Sequence, residues 1–152
     1  MYALAASSWL LTACQVPLYV TGPNYPTEAA LVANAYKNGL SAEADIHYQQ
    51  AYLNLRQAYQ RCIAFTSEEA FVFTDHKLEE FIALGTLFAR TRGGAYLHKT
   101  TVEGLADGRT RITLFVPKQY RFAQQRFQQY IRRALGQDPA CNIRSAAKQE
   151  KL

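Results

Sequence analysis

Residues 95–116, AYLHKTTVEGLADGRTRITLFV, contain two strand-like segments on either side of a tight turn. After Asp107-Gly108, a favoured pair for a two-residue hairpin, apolar and polar side chains alternate as they do in a strand with one buried face. The apolar side of this alternation holds Ile112, Leu114 and Val116. The stretch therefore predicts a β-hairpin made of strands at 95–102 and 109–116.

Two more strands are predicted upstream of this hairpin. Residues 70–76 are rich in Phe and Val, and residues 81–90 alternate up to the turn signal Arg92-Gly93-Gly94. Four strands joined by short turns form an antiparallel meander, because neighbouring strands connected by hairpins run in opposite directions.

A helix is predicted on each side of the meander. The first covers 41–64 with Ser41 as its N-cap, and its apolar stripe has spacings of three and four residues: Tyr48, Tyr52, Leu55, Tyr59 and Cys62. The second covers 118–135, between a proline suited to a first helical turn and Gly136 as a stop signal. Both helices present one apolar face.

The element order α-β-β-β-β-α predicts an α+β fold of two layers, with both helices packed on one face of the four-stranded sheet. The domain would cover 41–143 and be followed by a flexible polar tail at 144–152. The prolines and glycine between 14 and 26 argue against regular structure there, and residues 27–37 have some helical character before a stop at Asn38-Gly39. The segment 14–40 is interpreted as a tether.

The net charge of +5 is concentrated in the C-terminal part of the chain. Residues 109–152 carry ten Lys or Arg and two acidic residues, whereas residues 1–108 carry seven basic and ten acidic ones. This asymmetry favours an acidic partner, such as an anionic surface or an acidic protein. A solvated basic helix face without a partner explains the same pattern.

A candidate binding surface follows from the alternation and the charge. If the aliphatic side of the last strand meets the helices, then Phe115, Arg111 and Tyr96 lie on the opposite side of the sheet, where aromatic and basic side chains suggest a protein or lipid contact. The basic residues of the second helix complete the candidate set: Arg121, Arg126, Arg132 and Arg133. Coverage of this sheet face by residues 15–40 is the alternative.

No residue pattern indicates catalysis or a cofactor. The sequence contains no nucleophile elbow, phosphate-binding loop, dinucleotide fingerprint or Cys-x-x-Cys pair. His47, His76 and His98 are on three different predicted elements, and no two have the helical spacing of a zinc site. They are expected to be surface or edge residues, and we expect no enzyme, no metal and no cofactor.

The N-terminal residues resemble a bacterial lipobox. Leu11-Thr12-Ala13-Cys14 follows an apolar stretch, and in lipoproteins such a cysteine receives a diacylglycerol after cleavage before it. The resemblance to small proteobacterial lipoproteins of unassigned function implies a signal peptide at 1–13 and lipidation at Cys14. It also implies a location on the periplasmic face of the membrane. Gln15, in place of the inner-membrane signal Asp, favours the outer membrane. The sequence contains no run of 18 apolar residues that could span a bilayer as a helix.

Export would place the two other cysteines in an oxidising compartment. Cys62 ends the first predicted helix and Cys141 follows the second, so a disulfide could join the two helix ends. The closed loop of about 78 residues would stabilise the fold by roughly 4–5 kcal/mol on the chain-entropy model. Two unrelated buried thiols are the alternative.

Two functional hypotheses remain. The first is a lipid-anchored accessory subunit that binds an envelope protein or an anionic surface in a cell-envelope or secretion assembly, with no role in nucleic-acid binding. The alternative is a periplasmic module that binds a small apolar or anionic ligand, in a cavity lined by Tyr52, Tyr59, Phe127 and Tyr130.

Overall fold

The computed structural model describes residues 26–66 and 71–141, and the α+β class is confirmed. The helices are α1 (Glu28–Ala33), α2 (Tyr48–Cys62) and α3 (Ala123–Ala134). The strands are β1 (Leu40–Ala44), β2 (Phe65–Thr66), β3 (Phe71–Glu79), β4 (Leu84–Thr91), β5 (Tyr96–Gly104) and β6 (Thr110–Phe115). The signal peptide, Cys14 and the tail 144–152 lie outside the described residues.

The six strands form one antiparallel sheet in the order β1-β6-β5-β4-β3-β2. The predicted meander corresponds to β3–β6, in which each strand pairs with the next one along the chain. The four-stranded layout is nevertheless incomplete, because β1 and the two-residue β2 extend the sheet at its two edges.

The first four residues of the predicted helix at 41–64 belong instead to strand β1. Leu40 and Ala44 are buried, Ala42 is half-buried, and Ser41 and Glu43 are exposed, which is the two-residue period of a strand. Ser41 is therefore not an N-cap, and its hydroxyl lies 3.0 Å from the Thr113 hydroxyl on β6. The open edge of β6 provides hydrogen-bond partners that local sequence patterns do not reveal, and α2 begins only after His47.

The second predicted strand, 81–90, starts three residues later than expected. Glu80–Ile82 form a 3-10 turn between β3 and β4, and Ala83 after it has a left-handed backbone with φ of 50°. The apolar Phe81 was counted in the alternation, but its side chain is fully exposed at 101%. A hairpin connection was needed here, and the sequence offers no glycine or proline to mark it.

The second predicted helix also starts later, at Ala123 instead of 118. Residues 117–122 form turns in which the Tyr120 amide donates to the Pro117 carbonyl and the Ala123 amide to the Tyr120 carbonyl. The predicted C-terminal stop is close to the observed end, because Gly136 with φ of 75° follows the helix.

The described part of the predicted tether, residues 26–40, packs on the domain. Helix α1 is capped by the Thr27 hydroxyl, which accepts from the Ala30 amide. Leu31 and Ala35 are buried, at 2% and 0% exposure. The Tyr36 amide donates to the Val116 carbonyl, so this segment is tied to the sheet.

The core lies between the sheet and the apolar faces of α2 and α3. Ile112, Leu114 and Val116 are buried against these helices, as predicted. The helices run antiparallel, because the Tyr59 and Tyr130 rings are 5.6 Å apart while the Asn54 amide donates to the Ala134 carbonyl. None of the described helices is long and apolar enough to cross a membrane.

The predicted disulfide between Cys62 and Cys141 is present, with their Cα atoms 5.0 Å apart. Cys62 is the last residue of α2. The chain leaves α3 at Gly136, returns along the helix pair and brings Cys141 back to the end of α2. The bridge therefore holds residues 137–141 against the helix layer.

Candidate binding surface

A row of aromatic and basic side chains crosses the sheet face that points away from α2 and α3. Phe88, Lys99 and Phe115 are direct cross-strand neighbours on β4, β5 and β6. The Lys99 ammonium lies 5.7 Å and 5.9 Å from the centroids of the two rings. Tyr96 packs edge-on against Phe88 at 5.4 Å. We call Phe88, Tyr96, Lys99 and Phe115 the aromatic row.

A second row on the same face consists of ion pairs. Glu43, Arg111 and Glu103 are cross-strand neighbours on β1, β6 and β5. The Arg111 guanidinium lies 3.1 Å from Glu43 and 3.2 Å from Glu103, and these carboxylates raise the pKa of Arg111 above its usual value. Arg111 is therefore already neutralised by two carboxylates, so it contributes less than a free cation would to capture of an acidic partner.

Helix α1 borders the aromatic row on one side. The Glu28 carboxylate lies 2.7 Å from the Lys99 ammonium. A chiefly apolar cavity of about 670 Å³ opens between α1 and the sheet, lined by Thr27, Glu28, Ala29, Val32, Ala33 and Tyr96. The part of the chain before β1 that the structure describes thus covers part of this face, as the alternative interpretation proposed, and the aromatic row is partly exposed.

The four candidate arginines that were predicted on the second helix lie in the other layer and do not join this face. Arg121 is exposed before the helix begins, and Arg126 donates to the Tyr120 hydroxyl and to Gln129. Arg132 pairs with the buried Asp138 at 3.4 Å. The seven predicted residues therefore belong to two separate surfaces.

Arg133 is almost completely buried, at 2% exposure, and so is not available to a partner. Its Nη2 donates to the Ala140 carbonyl at 2.6 Å, and Gln129 donates to the same oxygen. Burial lowers the pKa of the Arg133 guanidinium, and its Nε and Nη1 have no hydrogen-bond partner among the described residues. The side chain holds the segment that carries Cys141.

A small polar cavity of about 180 Å³ lies beside Arg133, between the helix pair and the returning segment. Its lining combines two basic residues and one acidic residue with amide and small side chains: Asn54, Gln57, Ala58, Arg61, Arg133, Gly136, Asp138 and Pro139. Arg61 is fixed by donating to the Pro139 carbonyl. This cavity is large enough for several water molecules.

The sequence did not reveal a cluster of tyrosine and histidine side chains inside the domain. The Tyr59 hydroxyl lies 2.8 Å from the Thr100 hydroxyl and 3.2 Å from His98 Nδ1, and the Tyr130 hydroxyl lies 3.4 Å from the same nitrogen. Burial lowers the pKa of His98 to about 3 and raises the pKa of Tyr130 to about 12. Burial also raises the pKa of Tyr59, so Tyr59, His98 and Tyr130 are all uncharged at neutral pH.

Of the three histidines expected at the surface or an edge, His98 is only partly exposed and faces the helix layer. It lies on the helix-facing side of β5 together with Thr100 and Val102. The two-residue spacing of these positions is the sequence pattern that could have placed His98 on this side. His76 is exposed, on β3, and its Nδ1 lies 3.0 Å from the Tyr52 hydroxyl. Each histidine binds its own tyrosine of α2, and the two do not form one site.

The four side chains predicted to line a ligand cavity are core side chains. Tyr52, Tyr59, Phe127 and Tyr130 are at most 5% exposed, and they line neither of the two cavities described above. Within the described ranges no three His, Cys, Asp or Glu side chains are grouped so that they could hold a metal ion. The exposed part of the sheet face is thus the main candidate surface.

No protein family matches this chain, and none of the curated proteins is a significant match to it.

Proposed function

We propose that this protein is a lipid-anchored, periplasmic binding subunit of an envelope or secretion assembly, with no catalytic activity of its own. Its contact surface would be the aromatic row. The observation that carries the proposal is the Cys62–Cys141 disulfide, because such bonds persist in oxidising compartments and are rare in the cytosol. Pairing of these two cysteines leaves Cys14, in the lipobox-like sequence, as the remaining cysteine of the chain.

The placement of the aromatic row supports a role near a membrane. The Tyr96 amide donates to the Pro26 carbonyl, so the chain arriving from Cys14 reaches the domain beside this row. About 12 residues separate Cys14 from Pro26, which extend to roughly 40 Å at most. A partner embedded in the same membrane, or projecting from it, would therefore lie within reach of this face.

The chemistry of the row favours a protein partner. Partly exposed aromatic side chains are enriched at the centres of protein interfaces, where they bury large areas at low entropic cost. The ion pairs of Arg111 would form part of a polar rim beside them. The alternative, a small-ligand module, would use the apolar depression beside α1, which is largely open to solvent.

The test is the mass of the protein extracted from membranes of its native host. We expect residues 14–152 plus a lipid moiety, with the two other cysteines resistant to thiol alkylation until reduction. Cys14→Ser should abolish both the added mass and the membrane association. An unmodified chain that retains Met1, or one whose thiols are all free, would contradict the proposal.

Photo-crosslinking in the same membranes tests whether the aromatic row is the contact surface. A photo-crosslinking amino acid at Thr113, on the exposed sheet face, should join the chain to an envelope protein. The same group at Gln128, on the exposed side of α3, is the matched control. Equal labelling at both positions would contradict a partner on the aromatic row, and a bound small molecule in the native mass would favour the ligand module.

A further inference from the structure

Strand β3 has a free edge along most of its length. On one side it pairs with β4 from Val72 to Glu79. On the other side β2 pairs only with Phe71 and Val72. Among the described residues, the seven from 73 to 79 therefore have no strand on their outer side. Such an edge presents unpaired backbone amides and carbonyls, which are a template for another strand.

This edge is accessible. Phe73 is 49% exposed, and Asp75, His76 and Lys77 are all exposed. The side chain of Asp75 is 48% exposed in its ion pair with Arg90, and that of Lys77 is 67% exposed in its pair with Glu79. Helix α2 contacts the face of the strand through the Tyr52 hydroxyl on His76, and among residues 26–66 and 71–141 no strand pairs with the outer edge of 73–79.

We propose that a second copy of this chain pairs with this edge, so that two β3 strands run antiparallel about a two-fold axis at His76. The free edge is bounded by β2 before Phe73 and by the 3-10 turn after Glu79. His76 is its midpoint. A register centred on His76 uses all seven residues, and the pairing ends where each copy would otherwise meet β2 of the other.

The side chains of the free edge are complementary in that register. Residues equally distant from His76 face each other, so Asp75 of each copy lies opposite Lys77 of the other. Opposite charges directly across two antiparallel strands are stabilising, and like charges are destabilising. In the same register Thr74 faces Leu78, Phe73 faces Glu79 and His76 faces His76, so no like charges face each other at neutral pH. The contact is self-complementary, as a closed two-fold dimer requires.

Sedimentation equilibrium of the full chain tests the pairing. Cys14→Ser is included so that neither a lipid nor a disulfide through this residue joins two copies. We expect a species of twice the 17.2 kDa chain mass whose fraction rises with concentration. A chain that stays monomeric up to about 1 mM, where even weak specific contacts are populated, would overturn the proposal and identify Asp75 and Lys77 as charges that protect the edge.

Charge reversal distinguishes this register from any other contact. Asp75→Lys or Lys77→Asp places like charges opposite each other twice per dimer, and each should raise the dissociation constant by about tenfold or more. The double variant Asp75→Lys, Lys77→Asp should restore the dimer. Glu80→Lys makes the same change of charge outside the free edge and should have no effect. Circular dichroism checks that each variant is folded.

A cysteine at the axis gives a readout that does not depend on charge. Residues directly opposite have Cβ atoms about 5 Å apart, so His76→Cys should be joined to its copy by a short bis-maleimide reagent. Glu80→Cys should not be joined. A dimer that forms without crosslinking at position 76, or that resists both single reversals, would overturn the pairing of β3 strands.

Discussion

At the scale of single residues, the most unusual group is His98. Its Nδ1 is within hydrogen-bond distance of the Tyr59 and Tyr130 hydroxyls, and both rings pack tilted against the imidazole. Charging this ring would place a cation between the two helices and the sheet, and the neighbouring Arg126 adds repulsion. The neutral histidine is thus a structural polar link between both helices and β5.

His98 should make the fold less stable in acid. Its pKa is near 6.5 in the unfolded chain and about 3 in the folded one. Below pH 6.5 the unfolded state therefore binds a proton that the folded state does not. Its stabilising contribution is complete above that pH and falls by up to about 1.4 kcal/mol per pH unit as the pH drops toward 3.

Urea unfolding at several pH values between 6.5 and 4 measures this slope. His98→Gln should lower the free energy of unfolding at neutral pH and reduce its slope against pH. His47→Gln, at an exposed histidine before α2, is the matched control. An unchanged slope in His98→Gln would show that the buried ring is not the group responsible.

At the scale of elements, small residues set how closely α2 approaches the sheet. A Cβ atom at Gly85 on β4 would lie 2.5 Å from Cδ2 of Tyr52. At Gly104 on β5 it would lie 2.8 Å from Cδ1 of Tyr48. Two glycines on neighbouring strands thus receive two tyrosine rings from the same helix. This contact places the Tyr52 hydroxyl on His76 and fixes the position of α2 along the strands.

Gly85→Ala should push α2 away from β4. The added methyl group has no space against the Tyr52 ring, and overpacking of this kind costs about 1–3 kcal/mol. Chemical denaturation should show this loss in the full chain, and a smaller loss when the same change is made in a Tyr52→Ala background. Equal losses in both backgrounds would mean that the ring does not limit the approach.

At the scale of the whole molecule, one covalent bond joins the end of the domain to α2, and one buried cation joins it to α3. Cys141 is bonded to Cys62 across 79 residues of sequence, and Arg133 holds the Ala140 carbonyl next to it. The arrangement closes almost the entire sheet within one loop. Restricting so long a loop in the unfolded chain stabilises the native state.

Removal of the disulfide should lower the free energy of unfolding by up to about 4–5 kcal/mol. The variant Cys62→Ala, Cys141→Ala and the reduced wild-type chain should agree, since both release the same loop. Cys14→Ser under oxidising conditions is the control and should retain full stability. A loss below about 1 kcal/mol would show that the unfolded chain is hardly restricted by the bond.

Local sequence patterns were sufficient for the meander β3–β6 and the two long helices, because strand alternation, helical spacing and turn residues act over a few neighbours. The disulfide prediction rested on the positions of Cys62 and Cys141 at the two helix ends and on the export that the lipobox-like sequence implies. They also placed Phe115 and Arg111 on the sheet face away from the helices. Tertiary structure alone decided the rest. β1 is a strand because β6 offers it an edge, α1 forms against the sheet, and Arg133 is buried because residues 137–141 return over it. The first two outcomes depend on strands that are distant in sequence, and the third depends on the path of the chain after α3, which no local pattern supplies.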